Sequence, residues 1–261
     1  MGYALPGDMQ GATAVVSSRS GRPQKTAMII ARRIVGEIHR GGLVRGDKLP
    51  SEKLMLDEYQ VGRGTLREAL RYLELSGAIS LKPGPGGGPT VEKPDATHLM
   101  NSLGLVLQFE GAPFSTIVEA RAGLEPMAAR LAAERITGDQ LQALADSVTK
   151  MGENLRDLEV FLETNRVFHD VIATASGNVL FGYLIDAVDG IFEGVAVGVE
   201  YPTVRRAKVH EAHRAILDAI ESGDGTAAEE AMRTHVAELS AYLRKKFPSA
   251  LSKPVTWEAM Q

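Results

Sequence analysis

From Thr26 to Arg40 apolar side chains return at helical spacing, with Ile30, Ile34 and Ile38 backed by Ala27, Ala31 and Val35. Gly41-Gly42 stops that helix, and Arg45-Gly46-Asp47 reads as a turn. Pro50-Ser51-Glu52 supplies an N-cap serine followed by an acid, opening a short helix through Tyr59. Gln60-Val61-Gly62 is the next turn, and a third helix is expected from Arg63 to Leu75, with Gly77 at the left-handed position beyond its end. Ala78–Leu81 and Thr90–Glu92 read as two short strands around a loop rich in glycine and proline. Beyond residue 98 the period is helical throughout. Seven segments are expected, over about 98–109, 114–135, 138–153, 157–175, 178–194, 204–222 and 224–246.

The predicted fold class is therefore mainly α: an N-terminal winged helix-turn-helix over 24–93 and a C-terminal all-α bundle of about seven helices over 98–247. Residues 1–23 and 248–261 carry no periodic pattern and are expected to be flexible tails, with a hinge over Lys93–Thr97.

Composition narrows the function. With no cysteine among 261 residues, disulfides, thiolate metal sites, iron–sulfur clusters and cysteine nucleophiles are excluded. No apolar run reaches the roughly 18–20 residues of a membrane span, and the first ten residues lack a secretory pattern, so a soluble, cytoplasmic chain is expected. The net charge of −4 hides an asymmetry: residues 1–97 hold 14 Lys and Arg against 10 Asp and Glu, and the remainder holds 15 against 23. A basic first part and an acidic second part fit a polyanion partner for the first alone.

In the third helix Leu66, Ala69, Leu70 and Leu73 form a narrow apolar stripe, while Arg63, Arg67 and Arg71 repeat every four residues on another face. A guanidinium fork pairs with guanine O6 and N7 or with phosphate, and Thr65 sits where a recognition helix meets base edges. Taken alone, three arginines on a helix describe a solvated face; the order helix, turn, helix, wing converts them into a DNA-reading surface. A nucleotide cradle in the glycine-rich loop is excluded, since no Gly-Lys-Ser/Thr follows and its prolines lack amide donors.

Three motifs, Gly46-Asp47-Lys48-Leu49-Pro50-Ser51-Glu52, Val61-Gly62-Arg63-Gly64-Thr65-Leu66-Arg67-Glu68-Ala69-Leu70 and Leu73-Glu74-Leu75-Ser76-Gly77, resemble the winged-helix domain of the GntR superfamily of bacterial transcription regulators over about 28–92. The resemblance implies DNA contacts from Lys53, where that family usually has arginine, from Arg63, Thr65 and Arg67, and from a wing glycine, Gly86 or Gly87; Arg71 extends the same face. Gly62 and Gly64 replace the hydroxyl residues that usually flank the first arginine.

The second half holds a different set of candidates. Asn165 and His169 share a helix face at i,i+4, and His213 and His235 lie on the last two long helices. Spacing alone favours ordinary hydrogen-bonded core histidines over a cation site. However, Glu119-Ala120-Arg121 with Leu124-Glu125, Ser176-Gly177-Asn178, the His213–Ala227 pattern and Arg233-Thr234-His235 resemble the FCD effector domain of the FadR-like branch over about 105–243. That resemblance implies a divalent ion (zinc, nickel or manganese) on Asn165, His169, His213 and His235, with His210 outside the ligand set, and a small organic-acid effector. Asn165 brings one negative charge fewer than an aspartate would. Arg121 has two readings, an ion pair with Glu125 or a grip on the effector's carboxylate.

A homodimer is expected, since two reading heads about 34 Å apart match successive major grooves of a palindrome. The competing reading is a metal-dependent enzyme joined to a nucleic-acid-binding domain. A di-iron bundle needs paired Glu-x-x-His motifs, but Arg166 and His210 stand where those acids belong. Glu211 and Asp170 adjoin ligand positions yet point elsewhere on their helices, so no general base is available and the chain is read as a regulator.

Overall fold

Helix formation in the first part follows the cap chemistry. The chain's computed structural model describes residues 21–84, 87–192 and 198–257, and separates into two compact units between Pro94 and Asp95. In the first, α1 (Gly21–Arg40) begins slightly earlier than its apolar pattern, so residues 21–23 are helical rather than tail; residues 1–20 lie outside the described residues. Ser51 Oγ accepts from Leu54 N (3.4 Å) and starts α2 (Glu52–Tyr59). After a turn in which Gln60 takes a left-handed φ of 51°, α3 runs Arg63–Leu75, the range its stripe predicts. Gly77 follows it at φ 71°. Ile34, Met55, Leu66, Leu70 and Ile79 are fully buried and join all three helices to the first strand.

The strands β1 (Ile79–Lys82) and β2 (Gly88–Val91) pair antiparallel, with Ile79 opposite Val91 and Lys82 opposite Gly88. They are shifted by a residue or two from the expected ranges, because the reversal is tighter than the loop's composition suggests. Gly87 N donates to Gly84 O at 3.0 Å, and a Cβ on Gly87 would sit 2.2 Å from the Lys82 carbonyl. Only glycine fits there.

The second unit is all helical among its described residues: α4 (Ala96–Phe109), α5 (Ser115–Arg135), α6 (Gly138–Glu153), α7 (Leu158–Ala175), α8 (Val179–Ile191), α9 (Thr203–Glu221), α10 (Gly225–Lys246) and a single turn, α11 (Pro248–Leu251). The expected hinge shortens, because the Asp95 carboxylate caps Thr97 N (3.0 Å) and Ala96 is already buried. α5 is central, packing on α7, α8, α9 and α10. Two apolar clusters fill the unit, one around Phe114, Phe161, Val209 and Leu243, the other around Ala129, Phe168, Ile216 and Met232.

The expected loose tail from 248 is corrected. Ala250 and Val255 are buried, Phe114 N donates to Lys253 O and Val255 N to Ala112 O (2.9 Å each), and Trp257 bonds Gln108 and Asn101 through its backbone amide and its indole Nε1–H. The partners lie far away in sequence, so no local period announces them; residues 258–261 lie outside the described residues. Truncation after Phe247 is expected to lower unfolding stability by about 2 kcal/mol or more, the scale of exposing one buried valine-sized side chain and its neighbours. Urea denaturation measures it, and an unchanged midpoint would show that the segment carries no stability.

Candidate DNA interface and candidate metal centre

The stripe that buries Leu66, Ala69, Leu70 and Leu73 turns Arg63, Arg67 and Arg71 to solvent. Arg63 makes no ion pair among the described residues. Arg67 Nε lies 3.3 Å from a Glu52 carboxylate oxygen, and Arg71 Nη1 lies 2.6 Å from Glu74, three residues on. Both arginines are exposed, though Glu74 is half-buried and also accepts from Leu81 N; pairs of exposed side chains contribute at most about 1 kcal/mol, so either arginine can turn to a phosphate or a base edge. Thr65 is half-buried beside them, and Lys53 is exposed on α2. Gly62 caps α3 without a side-chain hydrogen bond, which leaves the first-turn amides open toward the same side. Gly87 is explained by the wing's tight reversal; Gly86 lies outside the described residues.

In the helical unit a polar layer separates the two apolar clusters. Along α5 it falls at Arg121 and Glu125, on α7 at His169, on α9 at His213 and on α10 at His235, and all five are buried. His213 stacks on Phe168 with ring centroids 3.7 Å apart, and its ring lies 4.8 Å from His235 and 5.4 Å from His169. One nitrogen from each histidine falls within 4.8 Å of the others. Neither ring nitrogen of His213 has a hydrogen-bond partner. Such orphaned buried nitrogens are costly unless something else satisfies them. Burial, reinforced by neighbouring histidines, holds the His213 ring neutral and pushes His235 down to about 3. Neutral imidazole is the metal-ligating form, so the trio fits a divalent ion. Asn165, half-buried one turn before His169, lines the same cavity of about 480 Å³ with His169 and His235. His210 stands apart, against Gly152.

Arg121 forms the expected pair with Glu125, and a second carboxylate joins: Asp189 Oδ1 on α8 is 3.0 Å from Nε. The guanidinium also lies over Phe192, 4.4 Å from the ring centroid. Burial works against its charge, but Asp189 and Glu125 outweigh burial and raise its pKa. Burial alone would raise Glu125, yet Arg121 and His169 hold it well below the usual carboxylate range; Asp189, pushed by burial, rises to about 6. Glu125 Oε2 lies 2.8 Å from His169 Nδ1, out of line for a directed hydrogen bond but close enough to orient the ring. Glu125, His169 and Asp189 also cluster as donors, but Arg121 already fills the place of a cation among them. Of the two readings of Arg121, the pair with Glu125 is present, and the guanidinium also lines the cavity of the second reading. Sequence reading missed Asp189, which no spacing ties to Arg121, 68 positions away.

The comparisons decide the family. The model described as "Bacterial regulatory proteins, gntR family" matches residues 26–87, and the one described as "FCD domain" matches 116–238. The chain belongs to the GntR family. Among its relatives, the HTH-type transcriptional regulator LutR of Bacillus subtilis is 28% identical over 80% of this chain and 97% of LutR. The HTH-type transcriptional repressor NanR of Klebsiella aerogenes is 28% identical over 85% of this chain and 86% of NanR. A solved structure, Streptococcus agalactiae GntR, is 28% identical with a TM-score of 0.66 and covers 83% of this chain and 99% of its own. This GntR chain is thus a DNA-binding transcription regulator rather than an enzyme. No helix among its described residues is long and apolar enough to cross a membrane.

Two measurements test the buried layer. Arg121→Ala leaves Glu125 and Asp189 buried without their cation and should cost about 3–5 kcal/mol in chemical denaturation; a loss under about 1 kcal/mol would make the network dispensable. For metal-free protein, unfolded histidines take up protons that the folded His213 and His235 refuse, so stability falls as pH drops from 7.5 toward 6. The loss is expected to approach about 1 kcal/mol per ring, and Asp189, pushed up to about 6, offsets part of it at the lower end of that window. A flat stability profile across that window would contradict burial of neutral rings.

Proposed function

We propose that the chain is a ligand-responsive repressor that binds a palindromic operator as a homodimer and is released by a small carboxylate held at a metal site in its helical unit. The observation that supports this most directly is the combination in one chain of an exposed arginine face on α3 with a buried histidine trio beside a cavity. NanR of Klebsiella aerogenes is named a repressor, which favours that direction of control.

On DNA, Arg63, Thr65 and Arg67 reach base edges in the major groove, Lys53 and Arg71 neutralise phosphates, and the wing's Gly87 admits close approach of backbone. In the helical unit Asn165, His169, His213 and His235 would hold a zinc, nickel or manganese ion. A bound ion supplies a Lewis-acidic position for an oxyanion. Glu125 keeps the His169 ring aimed, the Phe168 ring backs His213, and Phe161, Leu162 and Leu239 exclude water from the ligand's apolar part. Ligand and operator then oppose each other through differential affinity for two arrangements of the dimer, a coupling of typically 1–3 kcal/mol.

Selection of bound duplexes from a random pool should return a short palindrome for the wild type. Arg63→Ala and Arg67→Ala should each weaken binding to it by about 1–3 kcal/mol and relax preference at the base contacted. The absence of any sequence preference at moderate ionic strength would overturn the reading.

A further inference from the structure

The cavity beside the histidines contains a second arginine that the layer does not neutralise. Arg205, at the start of α9, is 8% exposed and lines the cavity with Arg121, Asn165, His169, Asp189 and His235. Among the described residues no carboxylate lies within ion-pair distance of it, and its Nε is buried with no hydrogen-bond partner. Its guanidinium lies over the Tyr242 ring, 4.8 Å from the centroid, which fixes its plane without offsetting its charge. An arginine never sheds its proton in a protein, so burial without a counter-charge is a standing cost. Such a group calls for an anion.

The charge balance says how many. Arg121 and Arg205 face Glu125 and Asp189, which balance them; Asp170, outside the lining, faces Arg166, which with Glu159 and Glu163 sits at the exposed rim, where solvent screens them. The candidate metal ligands, an amide and three imidazoles, add no negative charge. A divalent ion in that set leaves two positive charges uncompensated. We propose that the cavity takes a small dicarboxylate, one carboxylate at the metal position and the other paired in the bidentate manner with Arg205, which thereby sets the preference for a doubly charged ligand. This rests on the metal-and-carboxylate reading above and adds to it the anchor and the ligand's charge.

The test uses full-length, zinc-loaded protein and titration calorimetry with succinate and its monoamide succinamate, which share a shape and differ by one charge. The wild type should bind succinate at least about tenfold more tightly, the scale of one charge-assisted pair. In Arg205→Gln that discrimination should collapse to within about threefold, with zinc affinity unchanged. A purely structural arginine would lower the melting temperature when replaced, whereas here Arg205→Gln and Arg205→Met, free of both metal and acid, should melt at or above the wild-type temperature. Equal binding of succinate and succinamate by the wild type, retained discrimination in Arg205→Gln, or a lowered melting temperature in both variants would overturn the assignment of Arg205. Failure of the underlying carboxylate reading looks different: zinc-loaded wild type binding neither compound overturns both.

Discussion

Desolvated charge governs the helical unit. Between two apolar clusters the bundle buries a guanidinium, two carboxylates and three imidazoles in one layer, and every one of them must be neutralised or held neutral. Apolar packing alone would favour alanine and leucine at these positions, and replacing buried ion pairs by hydrophobic residues is often stabilising. The layer therefore weakens the fold for the sake of a polar interior. Arg121 is its hub: it offsets Glu125, which aims His169, and Asp189, which ties α8 to α5. The histidines on α7, α9 and α10 meet because their helices pack against the same central helix.

The DNA-reading unit spends its charges in the opposite regime. Its arginines are exposed, and the ion pairs they make with Glu52 and the half-buried Glu74 are weak and replaceable at the solvent edge. A phosphate backbone presents a denser array of anions than either glutamate and releases counterions on binding. The same ion-pair chemistry thus gives a rigid network where water is excluded and an exchangeable surface where it is not.

What was legible in the sequence follows from range. Caps and periods are local, so Ser51, Gly77 and the α3 stripe could be read directly, and the seven long helices of the second unit fall close to their expected ranges. The histidine trio was reached through a family resemblance, since helical spacing shows which face a residue takes but not what that face meets. Asp189, Arg205 and the strap from Pro248 to Trp257 were out of reach. Each gains its meaning from a partner on another element, or from the lack of one, and no periodicity encodes that. The wing shows the converse: a glycine-rich run reads as a DNA contact, yet at Gly87 the backbone's own approach to Lys82 already demands glycine.

Stability and recognition are linked through the same residues. A domain holding an unpaired buried arginine and orphaned imidazole nitrogens is less stable empty than filled, and anything that binds only the folded state returns RT ln(1 + [L]/Kd) of stability. Such a domain tightens when occupied, and α5, α7, α8, α9 and α10 all contribute residues to the layer or its cavity. Occupancy of the proposed site would therefore bear on every long helix of this unit except α4 and α6, and α8 packs on α4, where the Met100 sulfur lies against Gly190. Since α4 follows immediately on the boundary at Pro94, the packing of α8 on α4 connects the cavity wall to the first helix after the DNA-reading unit.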